Sequence, residues 1–128
     1  MARARQTDCP RLRLRVDLAP GVSLGPGKVD LLRGIAETGS IAAAGRRIGM
    51  SYKRAWQLVD ALNRHFTAPL VSATRGGAGG GGATLTSLGQ SVLAAYEALQ
   101  TAARTSSRAA LGDLVAALKP DGSSGEAC

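Results

Sequence analysis

The chain has 128 residues, enough for one domain with a hydrophobic core and too few for two full domains. Its 16 Lys and Arg against nine Asp and Glu leave a net charge of +7. A surplus of this size favours a polyanionic partner, either nucleic acid or an acidic membrane surface, although the same charge also aids solubility. Where the basic residues lie along the chain indicates whether they bind a partner or only aid solubility.

The cysteines and the hydrophobicity exclude several other classes. Cys9 and Cys128 lie near opposite ends, without zinc-ligand spacing around them or around the lone His65, so we expect neither a zinc site nor a structural disulfide. No apolar stretch approaches the roughly 18 residues of a membrane span, and the basic first residues are not a secretory signal. We therefore expect a cytoplasmic protein with a disordered basic leader at residues 1–10.

A strand, a loop and a helix are predicted first. Residues 11–18 alternate apolar and charged side chains, which predicts a strand with one buried face. Residues 19–27 are rich in Gly and Pro and predict a loop. Pro26 fits the first turn of a helix that ends at Gly39, because a C-cap favours a left-handed residue. The residues expected on the buried side of this helix are Val29, Leu32, Ile35 and Ala36.

Two further helices follow closely in the sequence. Ser40 is a predicted N-cap for a short helix that Gly49 ends, and Ser51 is a predicted N-cap for a third helix before Pro69. Gly45 is a small residue where the two helices would cross, so the pattern predicts a helix-turn-helix. The buried face predicted for the third helix consists of Ala55, Leu58, Val59, Leu62 and Phe66.

The last part of the chain predicts a hairpin and more helix. Residues 70–74 and 83–86 are short strand candidates around a glycine-rich loop, a hairpin with a mobile tip. A helical region then begins at Thr86 or Ser87, since Ser87 and Gln90 fit a capping box. The pattern leaves open whether this region is one helix or two. Its apolar stripes are Leu88, Val92, Tyr96, Leu99, Ala103, Leu111, Leu114, Val115 and Leu118.

These elements predict a mostly α fold with a small β wing (α+β), a winged helix-turn-helix over residues 11–118 with a long C-terminal dimerisation helix. Residues 119–128 are predicted to be a disordered tail. No paired carboxylates or nucleophile set is recognisable, so we expect no enzyme, no cofactor and no metal. Residues 77–82 match G-x-G-x-x-G, but without a following Lys-Ser or a βαβ unit a wing close to DNA phosphates explains the glycines better.

The exposed positions of the third helix indicate what it touches. Lys53 and Arg54 suit guanine edges or phosphates, and Gln57 suits adenine or a phosphate. Trp56 has two interpretations, a contact with thymine methyls or the sugar-phosphate backbone, or a plug at the edge of the core. Between residues 39 and 82, six cationic residues stand against one acidic residue, Asp60, which favours DNA binding over mere solubility. The predicted DNA-binding residues are Ser40, Arg46, Arg47, Ser51, Tyr52, Lys53, Arg54, Trp56, Gln57, Arg64, Arg75, Gly76, Gly77, Gly79 and Gly80.

Two stretches of the chain carry a family resemblance. GSIAAAGRRIGMSYKRAW and LVSATRGGAGGGGATLTSLGQ resemble the N-terminal DNA-binding domain of the molybdate-responsive, ModE-type transcriptional regulators. More distantly, they are similar to the winged helix-turn-helix of LysR-type regulators. The resemblance covers about residues 12–100 and is sharpest at Gly39-Ser40, Ser51-Tyr52-Lys53, Ala55-Trp56 and the wing.

The resemblance implies a bacterial homodimer joined largely through the last helix, with the third helix in the major groove of a palindromic operator. Ser51, Tyr52, Lys53, Trp56 and Gln57 would then be recognition positions, with Arg75 and the wing glycines near phosphate. The chain ends without the C-terminal oxyanion-binding region of molybdate sensors, so direct molybdate binding is not expected. The expected dimer interface residues are Leu88, Val92, Tyr96, Leu99, Ala103, Leu111, Leu114 and Leu118.

The predicted function is therefore a sequence-specific, double-stranded DNA-binding transcriptional regulator that acts as a homodimer. One alternative is a non-specific architectural DNA-binding protein, which would show no preferred sequence. A second is a protein-interaction module of a larger regulatory complex, in which Trp56 and the C-terminal stripes dock onto another regulator. That module would bind DNA only weakly.

Overall fold

A computed structural model describes residues 10–74 and 82–120. Residues 14–97 form one compact unit, and residues 10–13 together with 98–120 belong to a second one. No helix of the described ranges is long and apolar enough to cross a membrane. The elements are β1 Val16–Ala19, β2 Val22–Leu24, α1 Pro26–Thr38, α2 Ile41–Arg47, α3 Tyr52–His65, β3 Val71–Thr74, β4 Gly82–Leu85, α4 Ser87–Ser106 and α5 Arg108–Ala116.

The N-terminal strand is shorter than predicted, and the predicted loop contains a second strand. β1 pairs antiparallel with β2, with Val16 opposite Leu24, across a turn in which Gly21 has a φ of 77°. The pairing cannot continue past Leu24, because Gly25 and Pro26 follow and proline has no N–H to donate. Side chains of residues 11–15 alternate between exposed and half-buried, but this segment has no strand partner. The alternation of apolar and charged residues alone therefore predicted a strand that begins too early.

Local capping signals place α1, α2 and α3 where the sequence predicts them. Gly39 ends α1 with a φ of 75°, and its N–H donates to the Ile35 carbonyl at 2.8 Å. The Ser40 hydroxyl accepts from the Ala43 N–H at 3.0 Å, and the Ser51 hydroxyl accepts from the Arg54 N–H at 3.1 Å. These bonds satisfy helix N-termini that otherwise lack acceptors.

The buried side of α1 differs by one residue from its prediction. Val29, Leu32 and Ile35 are buried, whereas Ala36 is exposed and Leu31 is fully buried in its place. Leu31 lies one helical turn before Ile35 and therefore shares its face, while Ala36 is rotated about 100° away from Ile35. The buried stripe is centred on the leucine pair, and the prediction for Ala36 is wrong.

Small residues bring α1, α2 and α3 close together. A Cβ added to Gly34 of α1 would lie 2.8 Å from the Cβ of Ala44. A Cβ on Gly45, the next residue of α2, would lie 3.3 Å from the Cβ of Ala55 in α3. The prediction of Gly45 as the crossing residue is confirmed, and α2 contacts both neighbouring helices through adjacent small residues. Gly49, with a φ of 73°, makes the turn between α2 and α3.

The core of residues 14–97 is apolar. It draws side chains from α1, α2 and α3, from both wing strands, and from α4. Among the described residues no buried side-chain N or O atom lacks a hydrogen-bond partner. The buried hydrophobic residues are Leu24, Val29, Leu31, Leu32, Ile35, Ile41, Ala44, Ala55, Leu58, Val59, Leu62, Leu70, Val71, Ala83, Leu85 and Tyr96.

The predicted hairpin is present as the antiparallel pair β3–β4, with Val71 opposite Leu85. Asn63, near the end of α3, attaches it to the helix. Its Oδ1 accepts from the N–H groups of Leu70 and Val71 at 2.8 and 3.0 Å, and its Nδ2 donates to the Val71 carbonyl at 3.2 Å. The Ala83 N–H donates to the Gly39 carbonyl at 2.9 Å, which ties β4 to the turn between α1 and α2. The predicted tip of the hairpin lies outside the described residues.

The start of α4 is packed tightly against Leu70, the residue before β3. Thr86 is its N-cap, because its hydroxyl accepts from the Gly89 N–H at 3.0 Å and donates to the Pro69 carbonyl at 2.8 Å. The alternative capping box of Ser87 and Gln90 is therefore not used. A Cβ on Gly89 would lie only 2.1 Å from the Leu70 carbonyl oxygen. Glycine at this position lets the helix approach the strand.

The helical region after the wing consists of two helices rather than one. Only Ser107 separates α4 from α5, with φ −98° and ψ 2°. Hydrogen bonds from the Ser107 N–H to the Ala103 carbonyl and from the Leu111 N–H to the Ser107 carbonyl bridge the break. The two apolar stripes seen in the sequence therefore lie on nearly continuous helices.

We predict that Gly89→Ala destabilises the fold by about 1–3 kcal/mol or more, because the new methyl group would collide with the Leu70 carbonyl. Urea unfolding followed by circular dichroism measures the effect. Gly27→Ala is the matched control, since no atom lies within 4 Å of its added Cβ in the first turn of α1. That control should be neutral or stabilising by up to about 1 kcal/mol. Equal stability of the two variants would contradict the close packing of α4 against the Leu70 backbone.

We further predict that Asn63→Ala lowers the free energy of unfolding by at least about 2 kcal/mol, since two buried backbone N–H groups would lose their acceptor. The control is Gln57→Ala, which removes an exposed amide from the same helix and should change stability by less than about 0.5 kcal/mol. Both values come from the same urea titration. A loss below that of the control would show that Asn63 does not hold the wing strand.

Candidate nucleic-acid interface

The helix α3 presents a polar face to solvent and an apolar face to the core. Ala55, Leu58, Val59 and Leu62 are buried, as predicted, and Phe66 is partly buried just after the helix. The opposite face is exposed over about three turns. Its exposed side chains are Tyr52, Lys53, Arg54, Gln57, Asp60 and Arg64, and the exposed Ser51 precedes them as the cap.

The cations of the helix-turn-helix differ from the cations elsewhere in the first unit. Within the described residues, Arg46, Lys53, Arg54 and Arg64 form no salt bridge and are exposed. Arg47 is also exposed but pairs with Glu37 of α1. The unpaired charges flank the turn between α2 and α3 and extend along α3. A surface of this kind attracts a polyanion.

Within residues 14–97, the described arginines outside α2 and α3 pair with acidic neighbours. Arg15 contacts Asp17 at 3.0 Å. Arg33 contacts Asp30 at 2.9 Å and Glu97 of α4 at 3.0 Å, so that it links the first and fourth helices. Only the pair of Arg33 and Glu97 connects two elements. Within the described part of residues 14–97, the arginines without a salt bridge therefore all lie in α2 and α3.

The two aromatic residues of α3 differ in their exposure. Trp56 is partly buried and packs against the core. Tyr52 is 61% exposed, and its ring lies 6.3 Å from the Trp56 ring at an interplanar angle of 79°. Tyr52 rather than Trp56 is therefore the aromatic side chain that this face offers to a partner.

Two predicted DNA-binding serines are also helix N-caps. Ser40, half-buried, and Ser51, exposed, each accept a backbone N–H at a helix start. The remaining predicted residues Arg75, Gly76, Gly77, Gly79 and Gly80 lie outside the described residues, as do Cys9 and Cys128.

The residues predicted for a dimer interface fall into two groups. Leu88 and Val92 are half-buried against the core, and Tyr96 is 2% exposed with its hydroxyl donating to the Leu14 carbonyl at 2.6 Å. Tyr96 therefore offers almost no surface to a partner. The other residues belong to the second unit. There Leu99, Leu114 and Leu118 are exposed, and Ala103 and Leu111 are half-buried.

Sequence reasoning missed Asn63, Glu37 and Glu97. Asn63 is a polar residue next to the buried stripe of α3, which is the one signal that could have identified it. The partners of the two glutamates lie 10 and 64 residues away in the chain, so no local pattern could reveal them.

Two other kinds of site were candidates in the described parts of the chain. Residues 10–74 and 82–120 contain no group of three His, Cys, Asp or Glu side chains that could hold a metal ion. An open groove beside the wing is lined by residues without a titratable side chain. These residues are Asn63, Ala68, Pro69, Val71, Ser72, Thr86, Ser87 and Leu88. The exposed face of α3 is thus the better candidate site.

Comparisons with known proteins agree with this geometry. The chain is 49% identical over 80 residues to the molybdenum-pterin-binding protein MopB of Rhodobacter capsulatus, covering 62% of this chain and 30% of MopB. It is 40% identical over 74 residues to the DNA-binding transcriptional dual regulator ModE of Escherichia coli, covering 58% of this chain and 28% of ModE. The chain thus spans about a third of the length of these relatives.

A solved structure and a family description point the same way. The DNA-binding domain of CbnR, solved in complex with DNA, superposes with a TM-score of 0.53 at 25% sequence identity, covering 68% of this chain and 95% of that domain. Residues 28–90 match the family described as bacterial regulatory helix-turn-helix protein, lysR family. This range runs from α1 through the wing into α4. Residues 28–90 of this chain are therefore a helix-turn-helix domain of the LysR family, with ModE-type regulators among its relatives.

Proposed function

We propose that this protein binds double-stranded DNA in a sequence-specific manner and regulates transcription from an operator as a homodimer. One observation carries the proposal: the exposed face of α3 joins unpaired cations to hydrogen-bonding side chains on a helix-turn-helix. The relatives support it, since ModE is named a DNA-binding transcriptional regulator and the CbnR domain was solved with DNA. A cytoplasmic location follows from this role.

The helix α3 has the size and the side chains for reading a major groove. An α-helix with its side chains is about 10–12 Å wide, and the major groove of B-DNA is about 12 Å wide. Lys53 and Arg54 in the first turn can donate to guanine O6 and N7, and Gln57 one turn later can pair with adenine. In helix-turn-helix proteins the N-terminal residues of this helix contact the bases.

The remaining cations supply affinity without choosing a sequence. Arg46 at the end of α2 and Arg64 at the end of α3 are exposed and unpaired within the described residues, so they can bind phosphates. Each phosphate contact releases counterions, and binding should weaken steeply as salt rises. We propose the same contact for Arg75 and the wing glycines.

The proposal of a homodimer is based on exposed apolar side chains of the second unit. Leu99, Leu114 and Leu118 are 50%, 67% and 59% exposed, which is unfavourable for leucines that face water. A second copy of the same helices would cover them in an isologous contact. Two recognition helices would then reach successive major grooves about 34 Å apart on a palindromic site.

Selection from random duplex DNA at near-physiological salt tests sequence-specific binding. An inverted repeat should be enriched, with half-sites about one helical turn apart. Lys53→Ala and Gln57→Ala should change the preferred sequence, and Arg64→Ala should weaken all sequences alike and reduce the salt slope by about one. Lys119→Ala, which removes one charge outside the helix-turn-helix, is the charge-matched control. Binding without an enriched sequence would instead support an architectural protein.

Sedimentation equilibrium tests the homodimer. Leu99→Asp and Leu114→Asp should shift the protein towards monomer and lower its affinity for the inverted repeat, because each places a charge in the covered surface. Leu18→Asp is the matched control, since Leu18 is a 52% exposed leucine of β1 in the first unit. A dimer that persists in both test variants would exclude this surface as the contact.

A further inference from the structure

The exposed aromatic residue Tyr52 occupies the first position of α3, where a major-groove helix meets the bases. It is the exposed aromatic ring of this face, whereas its neighbours Lys53, Arg54 and Gln57 are polar or charged. Exposure of a large apolar ring to water is energetically unfavourable. An apolar contact with a partner would remove this cost, and the polar neighbours of Tyr52 do not provide such a contact.

The Trp56 ring contacts the Tyr52 ring and restricts its orientation. The Trp56 side chain packs against the core, and the two rings are nearly perpendicular at a centroid distance of 6.3 Å. Such edge-to-face pairs are attractive and restrict the orientation of both rings. Tyr52 also lies one helical turn before Trp56, so the backbone supports the same arrangement. The tyrosine ring thus projects from a rigid base.

The major-groove edge of the bases carries one apolar group. Thymine presents its C5-methyl there, while the other features of the edges are hydrogen-bond donors and acceptors. We propose that the Tyr52 ring reads a thymine methyl in each half-site, and that Trp56 is a positioning residue for that ring. This inference rests on the proposed function and adds the chemistry of one specificity contact.

Deoxyuridine substitution isolates the methyl group. In duplexes that carry the selected site, each thymine is replaced in turn by deoxyuridine, which keeps the base pair and removes only the C5-methyl. Fluorescence anisotropy gives the affinity of each duplex. For the unaltered protein, one thymine position per half-site should show a loss of about fourfold per methyl, as expected for one buried methyl group.

The variants assign that loss to the ring. Tyr52→Ala should bind thymine and deoxyuridine duplexes equally at that position, whereas Tyr52→Phe should keep the fourfold preference because the ring remains. Trp56→Leu should reduce the preference while Tyr52 is intact, and Trp56→Phe should restore part of it. Gln57→Ala should lower affinity for both duplexes in parallel and keep their ratio.

The outcomes separate the inference from the function on which it rests. A selected site at which no thymine methyl matters, or a preference that persists in Tyr52→Ala, would overturn the inference and leave sequence-specific binding intact. The absence of any enriched sequence would refute the proposed function and the inference with it. Tyr52 is exposed, so its variants should fold and decide the question even if Trp56→Leu does not.

Discussion

The close approach of three helices at α2 is the constraint on which the rest of the structure depends. Gly34 of α1 lies against Ala44, and the next residue, Gly45, lies against Ala55 of α3. An added Cβ would collide with Ala44 at Gly34 and would make a tight contact with Ala55 at Gly45, so α2 packs closely between its neighbours. The exposed face of α3 therefore points away from a rigid base, which a recognition surface requires.

The second constraint is the segment of residues 69–71, which leads into β3 and contacts both α3 and α4. Asn63 binds the backbone at Leu70 and Val71, and Gly89 lets α4 contact the same backbone from the other side. Thr86 caps α4 and also donates to the Pro69 carbonyl. These contacts satisfy backbone groups at the start of a short strand that, among the described residues, pairs only with β4, so a small wing can hold its position beside α3.

The charges of residues 14–97 differ in their pairing. Arg15 and Arg33 form ion pairs with acidic neighbours, whereas Lys53, Arg54 and two other exposed cations of α2 and α3, Arg46 and Arg64, form none within the described residues. Arg47 is intermediate, because Glu37 holds it at the edge of the same surface. Exposed ion pairs add little stability, so the distribution matters more for the field than for the fold. The CbnR domain, which has a similar fold, was solved in complex with DNA.

The sequence by itself determined the features that depend on neighbours within one turn. Ser40 and Ser51 as caps, Gly39 and Gly49 as left-handed residues, and the small Gly45 are all visible from spacing, because local backbone geometry restricts the residue types. The tertiary structure decided the rest. The strand β2, the burial of Leu31, the support that Trp56 gives Tyr52 and the task of Asn63 all depend on atoms supplied by other elements. A periodic pattern shows that a face is buried, but the partner element decides where that face is centred and which polar group is needed there.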